Sequence, residues 1–225
     1  MTEQTSTQNN GKLFQILSAL IILLMFGISW WAYPHLPARV PSHWNAAGEV
    51  NGYANAFMGA FLMPAVALGT WILFFLIPRI DPRKTNFQQM GKVFWLVGFA
   101  VVLFLSILHI STLFIAVGLA HNNLIPVISF AGGGLLLIVI GNYMGKVKHN
   151  YMFGIRTPWT LANEEVWYKT HRTMGPLWVV GGVILLFLGF LPQAVIMPVL
   201  FTVMIVLALG SLAYSYVVFQ RVNRG

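Results

Sequence analysis

The chain has 225 residues, 58% of them hydrophobic and only 8% charged, where a soluble protein carries roughly 25% charge. So few charges do not cover a water-facing surface, and spans of about 20 residues each leave no room for a large soluble catalytic domain. The absence of cysteine excludes disulfide frameworks, thiolate metal sites, cysteine nucleophiles and lipoprotein anchors, and the net charge of +8 is read as a report of membrane topology rather than a nucleic-acid surface.

Residues 1–12 are polar and aperiodic, which predicts a disordered tail. Six apolar runs follow, at Leu13–Ala32, Phe57–Pro78, Val93–Val117, Leu124–Tyr143, Gly175–Leu191 and Ala194–Phe219. Each is long enough, or nearly so, to cross a hydrocarbon core of about 30 Å as a helix. The first ends at Trp30, Trp31 and Tyr33 rather than at a small-residue cleavage site, so it reads as an uncleaved span. The fifth is the shortest and begins at Pro176, a good first-turn residue. Pro64 and Pro198 predict kinks, while Gly132, Gly133, Gly134, Gly181, Gly182 and Gly189 allow close helix approach. Residues 13–219 thus form one six-span membrane domain and residues 220–225 a closing tail. The expected fold is an all-α membrane protein of six transmembrane helices.

Basic residues set the expected orientation. Lys12, the second and fourth connections and the C-terminal tail together hold 12 of the 13 Lys and Arg residues, and Arg39 alone lies on the other side. The positive-inside rule then places both termini in the cytoplasm of a multi-pass plasma-membrane protein. No Asp, Glu, Lys or Arg lies deep in a span, whereas a coupled transporter usually needs an intramembrane carboxylate or a broken helix. His109 is the deep ionisable residue. It reads either as a proton relay or as an imidazole bonded to a carbonyl or hydroxyl of a neighbouring helix, and the lack of an acidic partner favours the second.

Two connections are long enough to carry a function. The outer one, residues 33–56, is stiffened by Pro34, Pro37 and Pro41. Its Ala47-Gly48 and Asn51-Gly52 pairs predict turns, giving a short ordered cap over the helix ends. His43, Trp44, Asn45 and Gly48 are its candidate ligand-binding residues, because His and Asn both donate and accept hydrogen bonds beside an aromatic ring. One histidine with Glu49 is too few ligands for zinc, so no metal is expected. Trp30, Trp31, Trp44 and Tyr53 supply aromatic surface there.

The inner connection, residues 142–175, reads NYMGKVKHNYMFGIRTPWTLANEEVWYKTHRTMG. Gly154 predicts a turn, and Pro158 forces Thr157 into an extended conformation. Thr160 or Asn163 would cap a short interfacial helix running to about Arg172, with Glu164 and Glu165 at its positive end. Glu165 and Lys169 are spaced for an i,i+4 pair, and Trp159, Trp167 and Tyr168 would hold the helix in the interface. Arg156 is a candidate clamp for carbonyls or a carboxylate that lysine does not reproduce. An acid–base pairing of Glu164 or Glu165 with His171 is the enzymatic alternative. Helix-dipole and ion-pair roles account for the carboxylates without it, so no catalytic residue and no cofactor is expected.

The run GNYMGKVKHNYMFGIRTPWTLANEEVWYKTH resembles the signature of the Sdp-immunity (SdpI) family of bacterial membrane proteins. VPSHWNAAGEVNGY resembles the small uncharacterised domain near the N-terminus of many of them. The resemblance points to Asn142, Lys146, Asn150, Gly154, Arg156, Thr157, Pro158, Trp159, Thr160, Glu165, Trp167, Thr170 and His171 as the signature residues. Gly145 and His149 stand where family members often have proline. It implies protection against a secreted toxic peptide at the outer face and signalling to a cytoplasmic autorepressor, with membrane lipid as the surroundings and no direct nucleic-acid binding. A small-molecule or lipid transporter and a membrane enzyme using the inner loop are the competing classes.

Overall fold

A computed structural model describes residues 2–45 and 47–224. Among the described residues are six long helices, each apolar and long enough to cross a membrane, as expected. They are α1 (Thr2–Ala32), α2 (Ala56–Ile80), α3 (Lys84–Ala116), α4 (Leu124–Met144), α6 (Glu164–Leu188) and α7 (Gln193–Val222); α5 (Pro158–Ala162) is a single short turn. The backbone is helical from Thr2, where the sequence predicts a disordered tail; a nucleated span propagates helix outward at little cost per residue.

Helices α1, α2 and α3 pack together, α4, α6 and α7 form a second group, and α3 against α4 joins the two. The tightest pairing is α4 with α6. Gly134 faces Gly182, Gly141 faces Gly175, and Gly189 faces Val127. The contact points therefore advance by seven residues along each of two antiparallel helices, the spacing of left-handed helix packing. At each of the two glycine pairs a Cβ would meet the partner's carbonyl oxygen. Of the glycines expected to allow close approach, Gly134, Gly182 and Gly189 do so in this seam, which Gly141 and Gly175 complete, while Gly132 meets Phe104 of α3 and Gly181 meets Leu207 of α7. Gly133 faces open space.

Two expectations are corrected. Within the all-α membrane fold, the connection after α1 has more regular structure than turns alone: a one-turn 3-10 helix (Tyr33–His35) and an antiparallel β-hairpin, β1 (Arg39–Trp44) with β2 (Val50–Asn55). Pro41 within β1 and two register shifts between Pro41 and Trp44 hide the period of two that announces strands. Gly48, at φ 81°, makes the hairpin turn. Asn51 and Gly52, expected as a second turn, instead lie within β2, where Gly52 pairs with His43. Buried Val40 seats the hairpin on Gly59 of α2, whose hydrogen faces the valine methyls.

The second correction concerns α6. The sequence predicts a separate interfacial helix ending near Arg172 and a span starting at Pro176. The structure has one helix from Glu164 to Leu188, with Pro176 inside it. An interior proline costs about 3 kcal/mol. Here its ring is exposed while adjacent Gly175 packs on Gly141, and a span in lipid has no alternative to intrahelical bonding. Arg172 consequently stands mid-helix rather than at a negative end.

Candidate functional site

The connection from α4 to α6 is a knot of side-chain-to-backbone bonds at the end of the bundle that holds the chain termini. It begins with Asn150, fully buried. Its Oδ1 accepts the amides of Met152 and Phe153, and its Nδ2 donates to the carbonyls of Lys148 and Phe153. Four bonds exhaust what an amide side chain offers at this site. Gly154 follows at φ 118°, where an added Cβ would stand 2.6 Å from the His171 Nε2 atom. That nitrogen accepts the Ile155 amide at 2.9 Å, while Nδ1–H donates to the Trp167 carbonyl at 2.8 Å. Trp167 stacks on His171 with ring centroids 4.1 Å apart, and its indole N–H donates to the Val147 carbonyl at 2.8 Å.

The next turn is fixed by hydroxyls. Thr157 is the N-cap of α5 and Thr160 closes a reciprocal capping box with it. Thr157 Oγ1 also donates to Ser215 on α7 at 3.0 Å, tying the loop to the last helix. Asn163, one of the two expected caps, accepts the amides of Glu165 and Val166 at the start of α6. Thr160, the other, serves α5 as the third residue of its first turn. Pro158 opens α5, and Trp159 packs at a tilt against the ring of Tyr216 on α7. Glu165 pairs with Lys169 at 2.6 Å as its spacing predicts, and both are exposed. Thr170 is buried with no partner for its hydroxyl. Asn142, Lys146 and Arg156 lie on the surface. Arg156 donates to the Tyr151 carbonyl at 3.2 Å, a contact of the carbonyl kind considered for its guanidinium.

Sequence reading missed Asp81, the only aspartate in the chain. It is buried at the α2–α3 connection, accepting the Arg83 amide at 2.7 Å and, across the bundle, the Tyr151 amide at 2.8 Å. Asn86 adds a second bridge to the His149 carbonyl at 2.6 Å. A lone acid beside proline in so basic a loop was the available signal. Burial first, then the Arg83 cation, holds His149 below its ordinary value, and its Nε2 contacts the Leu161 carbonyl at 3.2 Å. Protonation is therefore favoured in the unfolded chain. Stability should fall as pH drops below about 6.5, and His149→Gln should flatten that part of a melting-temperature profile measured against pH.

At the opposite end the hairpin closes over a cavity of about 740 Å³. His43, Trp44 and Asn45 line its mouth, and α2, α3, α4 and α7 form its walls, with His109 among the residues reached. Asn45 Oδ1 accepts the amides of Ala47 and Glu49, and its Nδ2 donates to Glu49 at 2.7 Å. Those bonds build the turn, so Asn45→Ala is expected to unravel the hairpin as well as alter the mouth. His43 Nδ1 meets the Asn51 side chain across the strands. The Trp44 indole donates to Asn122 Oδ1 at 3.2 Å and Gly48 packs on Asn123 and Pro126, anchoring the hairpin to the start of α4. Within the bundle, His109 Nε2 and the Ser29 hydroxyl of α1 are 2.8 Å apart, the interhelical hydroxyl bond expected for that imidazole.

This arrangement defines a multi-pass membrane protein with a hairpin-capped cavity at one end and a bonded loop at the other. Both distinctive segments match known families: residues 146–215 the SdpI/YfhL protein family, and residues 20–68 a domain of unknown function (DUF1648). The latter segment is no separate globule, since it comprises the hairpin with the adjoining parts of α1 and α2. The sequence is 30% identical over 209 residues to the immunity protein SdpI of Bacillus subtilis (strain 168), covering 92% of this chain and 97% of the relative. The chain belongs to the SdpI family. No solved structure matches it.

Proposed function

We propose that this protein is a bacterial immunity protein of the plasma membrane. It binds or neutralises a membrane-active toxic peptide at the hairpin end and signals through the bundle to a cytoplasmic repressor. The observation that carries the reading is the identity with an immunity protein along nearly the whole chain. The cavity under the hairpin supports a binding role at that end, and the bonded loop supports signalling at the other. Asp81 and Asn86 join that loop to the first helix group, and Thr157 joins it to α7, so movement between the groups would be felt in the loop.

With 12 of 13 Lys and Arg residues at the end holding the termini, that end is assigned to the cytoplasm. Asn51→Cys should react with an impermeant thiol reagent in intact cells, whereas Gln88→Cys and Asn163→Cys should not. Labelling at residue 163 from outside would invert the assignment. For the role itself, deleting the gene should sensitise the host to a membrane-active peptide, and restoring the gene should reverse this. His43→Ala, which leaves the Asn45 turn intact, should accumulate normally and weaken protection. A deletion strain with unchanged sensitivity, together with substrate-dependent flux in proteoliposomes, would transfer the reading to transport.

A further inference from the structure

The bond between His109 and Ser29 leaves part of the imidazole unused. His109 is 1% exposed and Ser29 0%, and His109 Nδ1 has no partner although it is buried. Buried polar atoms are nearly always paired, and this one belongs to a residue that lines a cavity, so a small turn of the imidazole toward that space would give it a ligand group to bond. The space is of ligand size, about 740 Å³ against the usual range of about 300–1,000 Å³. Among the described residues, no Asp, Glu, Lys or Arg lines it. A charged group entering it would lose its hydration with no counter-charge in return.

The cavity lining is also exposed at one flank. Helices α2 and α7 form walls on either side of it without packing extensively on one another, and the lining residues Met58, Leu62 and Met197 are 43%, 47% and 40% exposed. These residues lie in the first turns of two spans, so an apolar ligand held at that end of the membrane is within reach of the cavity. At the mouth, Asn51 and Gln193 are exposed and add amide groups to the lining.

We propose that this cavity binds an uncharged apolar segment of a membrane-partitioned peptide, and that His109 Nδ1 hydrogen-bonds one of its main-chain groups. The inference rests on the immunity reading for the class of ligand and adds its site. The chemistry favours a peptide over a lipid ester. If Ser29 donates to Nε2, Nδ1 carries the proton and needs an acceptor; if Nε2 donates to Ser29, Nδ1 needs a donor. A peptide main chain offers both, an ester only the first. Side-chain amides at the mouth likewise pair with peptide N–H and C=O groups.

The test is equilibrium binding of a tritiated probe, acetyl-Leu-Ala-Leu-Ala-Leu-Ala-amide, to the full-length protein in phosphatidylcholine nanodiscs. Binding should be saturable, and a probe with one central Leu replaced by Lys should bind at least about tenfold more weakly. His109→Leu should weaken binding about tenfold, equivalent to about 1.4 kcal/mol. Ser29→Ala, which keeps the open nitrogen, should stay within about threefold. Ser129→Phe adds bulk to the cavity from α4 while leaving His109 in the chain and should abolish binding, so the test survives a misfolded His109→Leu. Unaltered binding in Ser129→Phe or in folded His109→Leu, no binding to the parent protein, or displacement of the peptide by monoolein with the same His109 dependence would each overturn the proposal. Failure of the immunity reading is separate: it shows as a deletion strain sensitive to no membrane-active peptide, whatever the nanodiscs bind.

Discussion

Replacing Gly141 by alanine is expected to prevent stable assembly of the bundle, while Gly133→Ala in the same helix leaves it intact. At position 141 a new Cβ would stand 2.6 Å from the Gly175 carbonyl oxygen and 2.8 Å from the Val179 amide nitrogen. Both are backbone atoms of α6, so no rotamer change relieves the clash. The helices must separate, and separation also opens the Gly134–Gly182 pair one repeat away. Overpacking usually costs about 1–3 kcal/mol when side chains can yield; against backbone, about 3 kcal/mol or more is expected. Gly133 has nothing within 4 Å of its added methyl, and alanine there should gain up to about 1 kcal/mol of helix propensity. Thermal unfolding of the detergent-purified variants, followed by size-exclusion chromatography, checks the contrast. Equal behaviour of the two would mean that α4 and α6 do not meet through this seam.

That contrast also shows what the sequence reveals and conceals. Six spans are legible because lipid demands about 20 apolar residues in each, a signal that survives without any knowledge of packing. Which glycine faces which is not legible, because hydropathy around α4 is nearly uniform and marks no face. The Asn163 cap and the Glu165–Lys169 pair are local, and both are read correctly from spacing. Continuity of α6 is not, since Pro176 and the polar stretch before it argue locally for a break that Gly175 against Gly141 overrides. The hairpin escapes because its strands are short and shifted in register. The cavity escapes for a different reason: its lining comes from the hairpin and four helices distant in sequence. His109 was visible as the deep ionisable residue, yet its partner Ser29 lies 80 positions away. Of the signature residues, composition suggested interfacial anchoring for Trp167, whereas the structure buries it completely.

His171→Ala is expected to destabilise the protein by roughly 3–5 kcal/mol through lost packing and an orphaned amide, and so to deplete it from the membrane. The ring is completely buried and stacked on Trp167, and both its nitrogens are engaged, one accepting the Ile155 amide and the other donating to the Trp167 carbonyl. Removing it leaves a cavity beside Trp167 and strips the Ile155 amide of its acceptor directly after Gly154, where the backbone is held at φ 118°. His171→Gln, which restores an acceptor but not the stack, should recover part of the loss. Glu165→Gln should change stability by about 0.5 kcal/mol or less, because its pair with Lys169 is exposed. The pattern separates two roles for the same residue. A general acid or base would give a variant that folds, accumulates and has lost turnover, with Glu165→Gln showing a parallel defect. A structural histidine gives a variant whose loss of protection matches its loss of protein, with Glu165→Gln near normal. Quantifying membrane protein level and host survival in the same cultures decides between them, and normal accumulation of His171→Ala would show that the bonded loop does not depend on this ring.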